Sequence, residues 1–194
     1  MTSTVAPAER AAAFTTHYRH QLNETLRQLD LEKVNTAIEW LAEARTHDRA
    51  IFTAGNGGSA STASHFVCDV LKGASYQRDT KFRIMALTDN LATITAYSND
   101  VSYACVFTEQ LKNFAKPGDI FLAISGSGNS PNVVDATEYA NSIGCKTIAL
   151  TGRDGGKLGK IAQLNINAQE PHMGRIEDAH LVVCHMLAYY FMEE

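Results

Sequence analysis

Five short apolar runs separated by helical stretches constrain this chain more than any other feature. AIFTA at 50–54, RIMAL at 83–87, IFLAI at 120–124, KTIAL at 146–150 and LNINA at 164–168 each have the length and composition of a strand. Between them lie SASTASHFVCDVLKG, a helical region from TDNLATITAYS through VFTEQLKNFA, a helix ending near Gly144 and a short helix around Gly156 to Ala162. A closing helix runs from about Arg175 to Met192. Near-continuous apolar strands alternating with helices predict a doubly wound, five-stranded parallel sheet flanked by helices, of flavodoxin-like type. Ahead of the first run, Phe14, Tyr18, Leu22, Leu26 and Leu29 share one helical stripe, and Leu31, Val34, Ile38 and Leu41 continue it after Asp30. The reading is a helical arm over residues 1–48 followed by one α/β domain over 49–194. The arm has no sheet of its own, so its apolar faces must pack on the domain or on another subunit, and helix-mediated oligomerisation is the expectation.

The connection after the first strand is Gly55, Asn56, Gly57, Gly58 and Ser59, and a helix follows directly. Consecutive backbone N–H groups at a helix N-terminus carry partial positive charge and favour an anion. The spacing closes neither a dinucleotide fingerprint nor a Walker loop. After the third strand come Ser125, Gly126, Ser127, Gly128, Asn129, Ser130 and Pro131. Three hydroxyls among small residues can reach one phosphoryl group together, and Pro131 suits the first turn of the next helix. A plain Ser/Gly turn explains either loop alone. Two of them at the carboxyl ends of core strands, the edge along which open parallel sheets bind ligands, predict a phosphorylated ligand.

Length and composition bound what that ligand belongs to. At 194 residues and 45% hydrophobic content, the chain can bury one full core with an appendage. A formal net charge of -4 without a dense Lys/Arg cluster argues against nucleic acid, so dipoles and hydroxyls would hold the phosphate. No run approaches the roughly 18 apolar residues of a membrane span. Cys68, Cys105, Cys145 and Cys184 show no CxxC spacing, and Met1 to Arg10 lacks the apolar core of a leader. A reduced, cytoplasmic protein is expected.

Side chains able to carry chemistry cluster on two helices. His65 and Asp69 stand four residues apart and share a face, so they can hold a metal or pass a proton, or simply pair at the surface. Cys68 lies between them and could join a site or fill a small apolar role. The last helix offers Glu177, His180 and His185 in an apolar segment. Glu177 and His180 resemble half of a carboxylate metal site, while a satisfied core histidine explains His180 equally well. Glu177 and His185 are eight positions apart, about 12 Å along a straight helix, so they meet one ion only with extended side chains or with a second subunit's help. Ser98, Asn99 and Asp100 follow a helix and can contact sugar hydroxyls or merely stop the helix. TGRDGG at 151–156 reads as a structural turn.

The segments AGNGGSASTASHF, SGSGNSPNVV, LTGRDGGKLG and RIEDAHLVVCHML, in this order and covering nearly the whole chain, resemble the sugar isomerase (SIS) domain family. Within it the likeness is greatest to the bacterial phosphoheptose isomerases. That resemblance implies aldose–ketose isomerisation of sedoheptulose 7-phosphate to D-glycero-D-manno-heptose 7-phosphate through an enediol. Ser59, Ser125, Ser127 and Ser130 match the family's phosphate-binding serines, and Asn56 matches an asparagine near the sugar. The whole expected binding set is Asn56, Gly57, Gly58, Ser59, Asn99, Asp100, Ser125, Gly126, Ser127, Ser130 and Glu177.

His65, Asp69, Glu177 and His185 fall where the family carries metal-binding or catalytic groups. One Zn2+ per site is expected there, with Asp69 and His185 moving the proton. Two residues depart from the pattern, since the family usually has glutamate at Asp69 and glutamine at Glu177. A shorter carboxylate moves its oxygens by about one bond length where geometry is sensitive on the order of 1 Å. The resemblance further implies a homotetramer with sites between subunits, the last helix of one chain reaching the first helix of the domain of another. Two alternatives remain: isomerisation of a different phosphosugar, and a non-catalytic SIS scaffold that binds the bacterial replication initiator protein.

Overall fold

The computed structural model describes residues 6–194. The reading of Met1 to Arg10 as free of a leader falls partly on residues 1–5, outside the described residues. The N-terminal stripe forms two helices, α1 (Pro7–Arg27) and α2 (Leu31–Thr46). They separate at Asp30, whose carboxylate accepts from the Lys33 N–H and so caps α2, satisfying one of its free donors.

From there the chain alternates as β1 (Ala50–Gly55), α3 (Gly58–Cys68), β2 (Arg83–Ala86), α4 (Leu91–Asp100), α5 (Val106–Phe114), β3 (Ile120–Ser125) and α6 (Pro131–Ser142). It ends with β4 (Lys146–Gly152), α7 (Leu158–Ile161), β5 (Leu164–Ala168) and α8 (Met173–Glu193). All strand pairs are parallel, in the order β2-β1-β3-β4-β5. The doubly wound five-stranded sheet is therefore as the apolar runs predict.

Period-two alternation along each strand splits the core into two layers. Ile51, Ile120, Leu122, Ile124, Ile148 and Leu150 face α2, α3 and α8, where Leu41, Phe66, Val183, Leu187 and Phe191 meet them. Phe52, Ala54, Phe121, Ala123 and Ala149 face the other way, against Phe107, Leu111, Val133 and Leu158. The arm divides between these roles. α2 buries Val34, Ala37, Leu41 and Ala44 in the first layer, so half of the expected appendage belongs to the domain's own core. α1 buries only Thr25 and leaves Phe14 exposed. It is tied to α8 and to the turn before it through polar contacts: the Tyr18 hydroxyl donates to Asp178 on α8 at 2.6 Å, and the Thr25 hydroxyl donates to Glu170 in the turn after β5 at 2.9 Å. Among the described residues, no helix is long and apolar enough to cross a membrane.

Two features of this topology position a site. The chain leaves β1 toward β2 and then returns to β3 on the other side of β1, so the loops after β1 and β3 flank a switch point where a crevice opens. The second feature ends α3, where the helix widens into a π turn over Asp69–Gly73 with the Ala74 N–H bonded to Asp69 O. Such turns re-aim side chains and recur at functional sites.

Candidate active site

The two small-residue loops meet across the switch point. Asn56, Gly57, Gly58 and Ser59 from the first, and Ser125, Gly126, Ser127 and Ser130 from the second, line one cavity of about 280 Å3, closed from α8 by Met173 and Glu177. Ser125 Oγ stands 3.3 Å from Ser130 Oγ and 3.5 Å from Ser127 Oγ, so three hydroxyls converge from one loop. Among the described residues, no lysine or arginine lines the cavity. An anion held there is bound by hydroxyls and by the N-terminal ends of α3 and α6. The TGRDGG turn braces the serine loop from behind. Gly128 has φ +64, and a Cβ there would stand 2.0 Å from Gly155 O, while the Lys157 N–H donates to Asn129 Oδ1 at 3.0 Å.

A second cluster forms where α3 passes α8. His65 Nε2 and His185 Nε2 are 3.1 Å apart, and Asp69 Oδ2 lies 3.2 Å from the first and 3.8 Å from the second. Asp69 Oδ2 is buried and makes no hydrogen bond among the described residues. The three side chains together present two imidazole nitrogens and one carboxylate oxygen to a common point. All three come from a single chain, so no second subunit is needed to bring His185 to Asp69, contrary to the inter-subunit geometry expected. The Tyr189 ring meets His185 edge-on at 5.8 Å.

Glu177 is not among these converging donors. Its carboxylate turns to the first loop instead, where a Cβ on Gly58 would stand 2.5 Å from Glu177 Oε1. The reason is the spacing on α8: eight residues place Glu177 about 12 Å from His185 along the helix axis. Asn99 and Asp100 are not a turn but the last residues of α4, where the Asn99 amide donates to Asp100 at 2.7 Å. Asp100 lines a different hollow, between α4 and α5, with Asn90, Tyr97 and Phe114. Neither residue lines the serine cavity.

His180 points from α8 onto β4, where its Nε2 hydrogen bonds to Thr151 O at 3.0 Å. Burial pushes its imidazole down to about 4, so it is a neutral core group and no partner of Glu177. Cys68 is exposed, whereas Cys184 is fully buried, its thiol pushed up to about 12 by burial and by the Asp69 charge. Two polar residues escaped the sequence reading. The Asn56 amide is paired with the Asn132 amide and also accepts from the Tyr103 hydroxyl at 2.7 Å. Asn132 has a signal, since it follows Ser130-Pro131 at the start of α6; Tyr103, in a loop-like segment after α4, has none.

Fold and site together define an α/β domain with a hydroxyl-lined cavity at its switch point, of a kind suited to an anionic group, and a His–Asp–His cluster where α3 passes α8. A family model for the SIS domain matches residues 17–152, and the chain belongs to that family. It is 41% identical over 165 residues to a probable phosphoheptose isomerase of Thermoplasma volcanium, covering 85% of this chain and 84% of that protein. It is 33% identical over 171 residues to the phosphoheptose isomerase of Geotalea daltonii, covering 88% of each. Among solved structures, the phosphoheptose isomerase GmhA of Neisseria gonorrhoeae superposes with a TM-score of 0.87 at 29% identity, covering 97% of this chain and 100% of that one. The phosphoheptose isomerase of Francisella tularensis does so with a TM-score of 0.88 at 25% identity, covering 98% and 100%.

Proposed function

We propose that this chain is a phosphoheptose isomerase, interconverting sedoheptulose 7-phosphate and D-glycero-D-manno-heptose 7-phosphate through an enediol. The observation that carries the reading is the nearness of a four-serine cavity, bounded by α3 and α8, to a His–Asp–His cluster further along those two helices. Relatives named for this activity along nearly the whole chain support it. A scaffold that only binds would have no use for two imidazoles turned onto one carboxylate oxygen.

In this reading Ser59, Ser125, Ser127 and Ser130 hold the phosphoryl oxygens, and Gly57, Gly58 and Gly126 let the backbone approach them. Fixing the remote phosphate orients the reacting carbons, so binding energy is spent on geometry. Asp69 and His185 move the proton between adjacent carbons. One removes the carbon-bound hydrogen and the other serves the carbonyl oxygen, each role contributing about 10²- to 10⁴-fold.

The cluster also suits a divalent metal. Around a tetrahedral zinc with bonds of about 2.0–2.2 Å, neighbouring donors stand roughly 3.3–3.6 Å apart. The separations here are 3.1, 3.2 and 3.8 Å, and the orphaned Asp69 oxygen lacks any other partner. His65, Asp69 and His185 would hold the ion, with Glu177 a fourth donor only after its side chain leaves Gly58; with its Nε2 so engaged, His185 would orient the ion and the proton would fall to the free Oδ1 of Asp69. Zinc, when bound, supplies a Lewis acid that polarises a carbonyl oxygen. A homo-oligomer, expected to be a tetramer, is part of the same proposal, supported by the exposed Phe14 on α1 and Leu91 on α4.

The test is incubation with sedoheptulose 7-phosphate and chromatographic analysis for the aldose, with a panel of shorter ketose phosphates and with zinc added or chelated. Conversion of the heptulose in preference to the others is expected. Failure to isomerise it under any metal condition refutes the function, and full activity of verified metal-free protein refutes the zinc.

A further inference from the structure

A backbone N–H sets the hydrogen-bond polarity at the cavity's edge. The backbone N–H of Val133, in the first turn of α6, donates to Asn132 Oδ1 at 3.0 Å. This identifies the oxygen end of the Asn132 amide, so Asn132 Nδ2 donates to Asn56 Oδ1 at 2.9 Å. In return Asn56 Nδ2 donates to Asn132 Oδ1, also at 2.9 Å, and the Tyr103 hydroxyl donates to Asn56 Oδ1 at 2.7 Å. Asn132 is 1% exposed, so water does not compete for its amide.

The consequence is an asymmetric side chain. Asn56 Oδ1 already accepts from two donors, which fills its two lone pairs, while Nδ2 has used one hydrogen and keeps the other. Turning the amide over would set its NH2 against a second NH2 and leave both oxygens short of donors, an arrangement that costs the full price of unmade bonds. Asn56 lines the serine cavity. We propose that Tyr103 and Asn132 are positioning residues that hold Asn56 as a hydrogen-bond donor only, so that the ligand atom it meets is an acceptor oxygen of the sugar phosphate. This deepens the function proposed above and rests on it for the identity of the ligand. It also staples the two loops together, since Asn56 follows β1 and Asn132 opens α6, and it brings the α4–α5 connection to the same crevice through Tyr103.

A double-mutant cycle on the full chain tests it. Tyr103→Phe removes one hydroxyl and is expected to lower kcat/KM for sedoheptulose 7-phosphate about 3- to 10-fold, the weight of one such bond. Its thermal midpoint should fall by no more than a few degrees, the loss of one exposed hydrogen bond. In an Asn56→Ala background the same change should have no further effect, because Tyr103 acts through Asn56. Asn56→Asp, isosteric but without a donor, should lose as much as Asn56→Ala.

An equal loss from Tyr103→Phe in both backgrounds, or retained activity in Asn56→Asp, overturns the proposal. A second readout is independent of turnover. The side-chain NH2 resonances that vanish in Asn56→Ala should shift in Tyr103→Phe and shift again when sedoheptulose 7-phosphate or inorganic phosphate is titrated. Resonances unmoved by the Tyr103 change overturn the positioning role. A wild type that binds these ligands but does not isomerise the sugar counts against the function alone.

Discussion

Replacing Glu170 by glutamine should weaken the protein in a way that depends on pH with a defined sign. Glu170 lies in the turn between β5 and α8, with its side chain 6% exposed, and its carboxylate pairs with Arg175 at 2.7 Å. It also accepts from the His172 N–H at 2.8 Å and from the Thr25 hydroxyl at 2.9 Å. The Arg175 guanidinium first, then the two neutral donors, hold its carboxyl down from 4.5 to about 2. A fall of that size is worth about 3 kcal/mol.

Because the folded value lies below the unfolded one, this stability is fully present above about pH 4.5 and is lost as the pH falls toward 2. At pH 3 about 1.4 kcal/mol of it should remain. His180 also erodes stability in acid, since its folded value of about 4 makes the unfolded chain bind a proton first below about pH 6.5. That loss is common to both proteins and cancels in their difference. Urea denaturation of wild type and Glu170→Gln at pH 7, 5 and 3 should therefore show a gap of about 3 kcal/mol that is nearly intact at pH 5 and roughly halved at pH 3, the variant at pH 7 leaving Arg175 buried without its counter-ion. A gap that stays constant to pH 3, or one below about 1 kcal/mol at pH 7, refutes the reasoning.

Other outcomes follow from the site. Asp69→Asn and His185→Ala should each reduce turnover by about 10²-fold or more while calorimetry still detects sugar-phosphate binding, because the serine cavity is untouched. Gly128→Ala should cost about 2 kcal/mol or more in urea denaturation and weaken sugar-phosphate binding, since its Cβ would strike the Gly155 carbonyl; an unchanged midpoint would deny that the two loops interlock. Added zinc should raise the thermal midpoint of chelator-treated protein by mass action, and His65→Ala should abolish that rise without any assay of activity.

The parts of this arrangement that were legible in sequence are those encoded locally. Strands such as Ile120–Ser125, buried throughout, must read as continuous apolar runs, and Asp30 announces the helix break because a cap needs an acceptor at that position. His65 and Asp69 declare a shared face through spacing alone. What joins them to His185 is the packing of α3 against α8, whose register depends on Phe66, Val183 and Leu187 filling one layer, and no spacing within either helix reports it. The π turn at Asp69 is equally silent, since it changes the hydrogen-bond ladder without changing composition. Asn99 and Asp100 misled for the opposite reason, because residues that favour turns also occupy the last turn of a helix. Tyr103 reaches Asn56 from 47 residues away along the chain.

The pairing of α3 with α8 gives the site a length as well as a composition. Gly58 meets Glu177 near one end of the pair, and His65 with Asp69 meets His185 near the other. Seven residues of α3 and eight of α8 separate those contacts, which is about 10–12 Å of helix. An extended seven-carbon chain with a terminal phosphate spans a comparable distance, six carbon–carbon bonds of about 1.5 Å along a zigzag plus the ester oxygen and phosphorus. Removing two carbons shortens the reach by about 2.5 Å, and a misplacement of about 1 Å can already cost 10²-fold in rate. If the serine cavity holds the phosphate and the His–Asp–His cluster moves the proton, as proposed, selection of the heptulose phosphate over a pentulose phosphate is expected from the spacing along the helix pair itself, without any side chain that contacts the extra carbons.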